Sequence, residues 1–272
     1  MTGSSGFIGK ALCEDLLAKG IKVWGISRSE TSPIDHPNYK HFKHDVRKEL
    51  LILFPVDTIF HLASPATSQD FWDKPTEVAE TILIGTINIT KYASKFGADL
   101  FFASSYGAEN INPKYTYRDC YDVSKRAGET YIGDYPIAKL NSYIMRIPSV
   151  YGPGMPLLAN KIVSNFIRYG LTGEMESCLE YPKEEDPLKP LEEQRTYIYI
   201  DDLLKQIIEQ VENKVPNVSA SGTPLNSFQV LHTILETTQG REPKCVMPRI
   251  EETINYFRDN LSTALTSLEK DQ

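Results

Sequence analysis

TGSSGFIG, residues 2–9, sets glycines at positions 3, 6 and 9 directly ahead of a helical pattern, FIGKALCEDLLAKG (7–20), that stops at Gly20. Each glycine has its own physical use. Gly3 permits a tight strand-to-helix turn, Gly6 removes a side chain where a pyrophosphate must approach the backbone, and Gly9 lets the helix pack closely on a sheet. The helix N-terminus then presents unpaired N–H groups to phosphate oxygens. The stretch therefore predicts a cradle for the phosphates of a dinucleotide, built from Gly3, Ser5, Gly6, Phe7, Ile8 and Gly9.

Outward from this turn, KVWGI (22–26), TIFHLA (58–63), DLFFASS (99–105) and NSYIMRI (141–147) read as strands. Between them, PTEVAETILIGTINITKYASKFG (75–97) and YDVSKRAGETYIGDY (121–135) have helical spacing. Strands separated by helices of about 10–20 residues predict an α/β chain with a doubly wound parallel sheet covered on both faces. A strand is expected to run into the glycine turn at the centre of such a sheet. Only Met1 precedes Thr2, so the expectation is that this first strand is missing, in a chain that begins upstream or is a fragment. After residue 150 the pattern changes: 174–195 is rich in Pro and Glu and reads as an irregular acidic insertion, and the tail mixes short strand-like and helical pieces. The expected division is a dinucleotide-binding domain over 1–150 and a smaller substrate-binding domain over 151–272, with 195–213 returning to the first.

Lys plus Arg number 29 against 36 Asp plus Glu, so the net charge of −7 argues against a broad nucleic-acid face. A chain that is 41% hydrophobic and 24% charged is not disordered as a whole. No apolar run reaches the roughly 18 residues of a membrane span, and no leader is evident, so a cytoplasmic location is expected. Cys13, Cys120, Cys178 and Cys245 have no CxxC spacing, which reads as reduced thiols with no metal site. His41 and His44, in HFKH, read as a solvated loop or strand end and not as a metal pair.

Tyr121 and Lys125 stand four apart, so a helix puts them on one face. A tyrosine ordinarily ionises near pH 10. A cation beside it stabilises the phenolate, and the pair becomes a proton shuttle near neutral pH. Ser105 ends a strand sixteen residues before Tyr121, where its hydroxyl can hydrogen-bond the same substrate oxygen. At the end of the strand after the glycine turn, Ser27 carries no charge to repel a 2′-phosphate and Arg28 can pair with one, which leans towards NADP(H) over NAD(H). Asp45, in KHDVR, is placed either to accept from an adenine amino group or to cap its own loop.

Taken in order, TGSSGFIG (2–9), HLASPA (61–66), GTIN (85–88), ASS (103–105), YDVSK (121–125), RIPSVYGPGM (146–155) and RTYIYIDDL (195–203) resemble the extended short-chain dehydrogenase/reductases of the NAD-dependent epimerase/dehydratase group. HLASPA with IGTIN, and CYDVSKRAGET, look most like the UDP-glucuronate decarboxylase and sugar 4,6-dehydratase branch. The resemblance implies a Rossmann domain, a nucleotide-sugar substrate and a homodimer formed through two helices, at about 75–95 and 121–135. It implies Tyr121 as catalytic acid/base, Lys125 on the nicotinamide ribose and Ser105 on the sugar C4 oxygen. The dinucleotide contacts would extend to Arg28, Asp45, Val46, Leu62, Ala63 and Ser64. Ser149, Lys161 and Arg195 would hold the sugar nucleotide, Arg195 through a bidentate fork on the diphosphate.

Three departures bear on the reaction. Decarboxylases and dehydratases carry an acid just after the catalytic Ser/Thr, whereas Tyr106 and Gly107 follow Ser105 here and the stretch is shortened. Glu109 would reach that place only by an unusual loop path. Ile82 stands where the pattern TNxxGTxN has an Asn, and the acidic insertion replaces a short turn before Arg195. The parts retained favour an epimerase or 4-ketoreductase acting at C4. The alternatives are a 4,6-dehydratase or decarboxylase-like enzyme, and a degenerate, non-catalytic dinucleotide-binding protein on the same fold.

Overall fold

The computed structural model describes residues 1–50, 55–109, 119–135, 140–158, 161–173, 194–243 and 247–270. Nearly all of the expected acidic insertion, together with Cys178 and Cys245, lies outside the described residues. The strands are β1 (Val23–Ser27), β2 (Tyr39–Lys43), β3 (Thr58–His61), β4 (Asp99–Ser105), β5 (Ser142–Ile147), β6 (Ser149–Tyr151), β7 (Arg195–Tyr199), β8 (Asn217–Ser219) and β9 (Thr223–Leu225). The helices are α1 (Phe7–Ala18), α2 (Ser68–Asp73), α3 (Pro75–Phe96), α4 (Asp119–Gly133), α5 (Ile162–Thr172), α6 (Ile200–Glu212), α7 (Ser227–Thr238) and α8 (Ile250–Lys270). The chain forms two compact units, Met1–Ile147 with Leu204–Ala220, and Pro148–Leu203 with Ser221–Gln272.

Every strand pair of the first unit is parallel: β1 lies beside β2, and β3, β4, β5 and β8 follow in that order. Thr2 joins the two halves. Its N–H donates to the Phe60 carbonyl, its own carbonyl accepts from Leu62, and it bridges in parallel to both Ile26 and His61. At the place where a first strand was expected to be missing, residues 1–3 thus supply a short segment paired on both sides. The Met1 ammonium donates to the Trp24 carbonyl at 2.9 Å.

The strand sequences explain the burial. Leu100 and Phe102 of β4 point into a cluster with Ile89, Tyr92 and Ala93 of α3, Ile132 of α4 and Ile144 of β5. Phe101, on the opposite face by the two-residue period of a strand, meets Phe60 with ring centroids 5.6 Å apart. Both faces of β4 are covered, as a near-continuous apolar strand requires. α3 begins with Pro75, carries Glu77 in its first turn and Lys95 in its last, and ends at Gly97 in the left-handed region. Each feature matches the donor-rich start and acceptor-rich end of a helix.

In the second unit β7 pairs in parallel with β6 and antiparallel with β9. This pairing keeps Arg195–Tyr199 in the second unit, where the sequence had placed it with the first; the return segment begins at Leu204, within α6. Helices α5, α7 and α8 pack on one another. α7 opens with a capping box in which the Asn226 side chain accepts from the Gln229 N–H and Gln229 answers on the Asn226 N–H.

Candidate active site

The glycine turn is built at close quarters. Gly3 has φ +73°, and a Cβ there would stand 2.8 Å from the Ala63 nitrogen, so no other residue fits without displacing the end of β3. A Cβ on Gly9 would stand 2.1 Å from the Gly3 carbonyl oxygen, which is why the first turn of α1 can rest on the loop. Gly6 caps α1, and a Cβ there would meet only the Gly3 oxygen, at 3.3 Å; the rest of its surroundings are open. No acidic residue occupies the first turn of α1. Open space over Gly6, exposed Ser5 and the N–H groups at Phe7 and Ile8 fit a diphosphate.

At the end of β1, the buried Ser27 hydroxyl accepts from the Ser29 N–H. The Arg28 side chain is 60% exposed and donates to Glu77 of α3 at 2.5 Å. Asp45 is gripped by Arg47 through both carboxylate oxygens, and that guanidinium holds its pKa down at about 2. The Val46 carbonyl accepts from Asn88 at 2.9 Å. Leu62 and Ala63 lie against Gly3, and the Ala63 N–H donates to the Thr2 hydroxyl. Ser64 turns its hydroxyl to the Pro65 carbonyl. His41 and His44 direct their Nε2 atoms to the carbonyls of Ser29 and Lys48. Among the described residues no three His, Cys, Asp or Glu side chains cluster as metal ligands.

Lys125 is the centre of the arrangement. It is 3% exposed, and its ammonium donates to the Ala103 carbonyl of β4 at 2.7 Å. It lies 5.0 Å from the centroid of the Phe102 ring and 5.7 Å from that of Tyr121. Burial lowers its pKa from 10.5 to about 7, with the carboxylate of Glu129 opposing the shift. The amine is therefore poised between its two forms near neutral pH. Tyr121 and Lys125, predicted together from spacing, do share a face of α4 and meet at the C-terminal end of β4. Ser105, two residues beyond Ala103, ends that strand, and its hydroxyl accepts from the Gly107 N–H at 3.1 Å.

Several neighbours besides Ile82, which the sequence marked as a departure, surround the pair. Phe71 of α2 stacks on the Tyr121 ring with centroids 4.9 Å apart, and its carbonyl faces the Cys120 thiol. Ile82 joins Phe71 and Val78 in an apolar cluster against which Tyr121 packs. Buried His61 sits at the end of β3. The Thr86 hydroxyl donates to the Ile82 carbonyl and so accepts from His61 Nε2, while Thr2 meets Nδ1 at 2.7 Å. Burial and the Lys125 charge drop its pKa to about 3, so His61 is neutral. No pattern in the sequence flagged Phe71, and His61 stood only as the first residue of HLASPA, with no role attached. Glu129 could have been found as the next residue on the helical face after 121 and 125.

The two residues directly after Ser105 carry no acid, but the Asp122 carboxylate of α4 lies against Gly107, where a Cβ would stand 2.1 Å from its Oδ1. Tyr106 donates its hydroxyl to the Ala220 carbonyl at 2.5 Å, and Glu109 pairs with Arg146 at 3.5 Å. In the second unit, Ser149 is exposed at the start of β6 opposite Tyr197, Arg195 begins β7 and Lys161 precedes α5.

Residues 1–219 match the NAD dependent epimerase/dehydratase family. Among curated proteins, the chain is 30% identical over 245 residues to UDP-glucuronic acid decarboxylase 1 of Xenopus tropicalis, covering 82% of this chain and 56% of that protein. It is 30% identical over 246 residues to UDP-glucuronic acid decarboxylase 3 of Arabidopsis thaliana, covering 82% and 69%. The chain thus spans little more than half the length of the Xenopus relative. Among solved structures, UDP-glucose 4-epimerase of Thermotoga maritima with UDP-glucose has a TM-score of 0.77 at 22% identity, covering 96% of this chain and 98% of that one. The Bordetella bronchiseptica enzyme WbmF with NAD+ has a TM-score of 0.78 at 20% identity, covering 99% and 94%. These two likenesses establish the fold.

Proposed function

The chain belongs to the NAD dependent epimerase/dehydratase family, and from that premise we propose that it is a nicotinamide-dependent nucleotide-sugar enzyme working at a single carbinol carbon, the sugar C4, as an epimerase or 4-ketoreductase. The observation that carries this reading is the buried Lys125 ammonium, held on the Ala103 carbonyl at 2.7 Å and beside the Tyr121 ring at the end of β4. In the proposed reaction Tyr121 takes the C4 hydroxyl proton at its phenolate oxygen and returns it in the reverse step. Lys125 stabilises that phenolate, and Ser105 hydrogen-bonds the same sugar oxygen. A bound nicotinamide supplies the hydride acceptor and donor. Gly3, Ser5, Gly6, Phe7, Ile8 and Gly9 would hold its diphosphate, with Val46, Leu62, Ala63 and Ser64 along the dinucleotide. Ser149, Lys161 and Arg195 would hold the nucleotide diphosphate of the sugar.

Ser27, which brings no carboxylate, and exposed Arg28 favour NADP(H), with the 2′-phosphate replacing Glu77 on the guanidinium. Exposed Ile84 on α3 and Val123 on α4 support a homodimer through those helices. Cys13 and Cys120, neither in a disulfide, suit a reducing, cytoplasmic setting.

The decarboxylase-like alternative is favoured by the named relatives. It lacks the acid that those enzymes carry directly after the Ser/Thr: Tyr106 is tied to Ala220 and Glu109 is paired with Arg146, so the Asp122 carboxylate against Gly107 would have to serve in its place. A non-catalytic binding protein would have no use for a desolvated amine beside a tyrosine.

The test is turnover of UDP-glucose, UDP-N-acetylglucosamine, UDP-glucuronate and their 4-keto derivatives with NAD(H) or NADP(H). A C4 epimer or a reduced 4-keto sugar is expected, with a loss of more than about 10²-fold in Tyr121→Phe. Release of carbon dioxide from UDP-glucuronate would establish the alternative, and unchanged turnover in Tyr121→Phe would remove the proposed base.

A further inference from the structure

Glu129 is a buried ionisable group for which the proposed chemistry has no use. It lies one helical turn beyond Lys125, so 121, 125 and 129 form a row along one face of α4. It is 8% exposed. One carboxylate oxygen accepts from the Ser104 hydroxyl at 2.5 Å and from Arg146 Nε at 3.0 Å; the other accepts from Arg146 Nη2 at 2.8 Å. Arg126 approaches the same carboxylate at 3.6 Å, and Glu109 balances Arg146 from outside.

The placement of these bonds matters more than their number. Ser104 immediately follows Ala103, whose carbonyl holds the Lys125 ammonium. α4 is therefore tied to β4 at two consecutive strand residues, by side chains one turn apart on the helix. Arg146 of β5 locks the second tie with a two-bond fork, the geometry in which a guanidinium is most directional.

We propose that Glu129 is a positioning residue for the Tyr121–Lys125 pair, clamping α4 to the ends of β4 and β5 and placing a fixed negative charge behind the lysine. The inference rests on Tyr121 and Lys125 being the proton-transfer pair. Among the described residues, three elements contribute groups that face the Lys125 amine. β3 contributes neutral His61, β4 the Phe102 ring and the Ala103 carbonyl, and α4 itself Tyr121 and Glu129; Arg146 of β5 faces Glu129. Glu129 is thus the carboxylate that counters the cost of burying the lysine charge. A charged Lys125 stabilises the Tyr121 phenolate, so removing the carboxylate weakens the phenolate one step away.

The test needs no substrate. The phenolate absorption of wild type minus Tyr121→Phe, followed against pH, isolates Tyr121 among 15 tyrosines. The same difference is then taken in the Glu129→Gln background, with circular dichroism to verify folding. The expected result is a Tyr121 midpoint higher by on the order of one pH unit in Glu129→Gln, restored towards wild type by Glu129→Asp. Ser104→Ala keeps the ion pair and deletes the tie to β4. Its folding is verified separately by circular dichroism, and a smaller rise is expected. An unmoved midpoint in folded Glu129→Gln, or in Ser104→Ala should the first variant not fold, would overturn the inference and leave a merely structural ion pair. A wild-type Tyr121 that titrates like an ordinary phenol would instead remove the catalytic reading on which it rests.

Discussion

Replacing Lys125 by Met should change how stability depends on pH, and the size follows from burial. The amine is nearly inaccessible, and its pKa falls from 10.5 to about 7 in the folded protein. Between pH 7 and 9 the unfolded chain holds this proton almost fully while the native state gives it up. Stability must rise with pH wherever the unfolded state binds more protons. Each unit of pH is worth about 1.36 kcal/mol for one proton, and the native state is half protonated at pH 7, so wild type gains about 2 kcal/mol relative to Lys125→Met across this window. The window closes near pH 9 because the unfolded lysine, with its ordinary value of 10.5, begins to lose its own proton above that point; the Cys13 thiol, pushed up by burial, opposes the trend in both proteins alike and cancels in the comparison. The depressed Met1 ammonium contributes with the same sign as Lys125 but cancels in the comparison. Urea unfolding of both proteins at pH 7, 8 and 9, without dinucleotide, measures the difference. A constant gap between the two would mean that Lys125 keeps its charge in the native state, and the poised amine would have to be abandoned.

Gly9→Ala should cost about 1–3 kcal/mol by overpacking, because its Cβ would stand 2.1 Å from the Gly3 oxygen; calorimetric titration with NAD+ and NADP+ should show weakened binding of both. Ile82→Asn, which introduces the residue the family pattern carries there, should destabilise and not restore a relay. The site is 1% exposed and lined by Phe71 and Val78, and an unsatisfied buried amide costs about 1–3 kcal/mol; denaturant midpoints check it. Asn226→Ala should lose about 1 kcal/mol by breaking the capping box of α7, and hydrogen exchange should report the loss in the first turn of that helix.

Periodicity and glycine placement carried much of the first unit. TGSSGFIG announced the turn because only glycine tolerates the φ at Gly3 and the contact at Gly9, and those demands are local. The helix pattern at 75–97 and the strand runs at 58–63, 99–105 and 141–147 were legible because burial on a parallel sheet leaves a continuous apolar signature. Tyr121 and Lys125 could be paired because helical spacing alone puts residues four apart on one face. The short α2 was not read, since six residues give too little periodicity, yet it brings Phe71 onto Tyr121.

What the linear chain settled, then, is whatever a few consecutive residues enforce by sterics or by the period of a helix or strand. The folded chain alone decided what depends on partners distant in sequence. Lys125 is desolvated because Phe102 and Ala103 close over it. Glu109 is spoken for because Arg146 of β5 reaches it, and Arg195 stays with the second unit because its strand finds β6 and β9. Burial, charge pairing and strand pairing across long stretches of chain are set by which surfaces meet, and no local pattern encodes that.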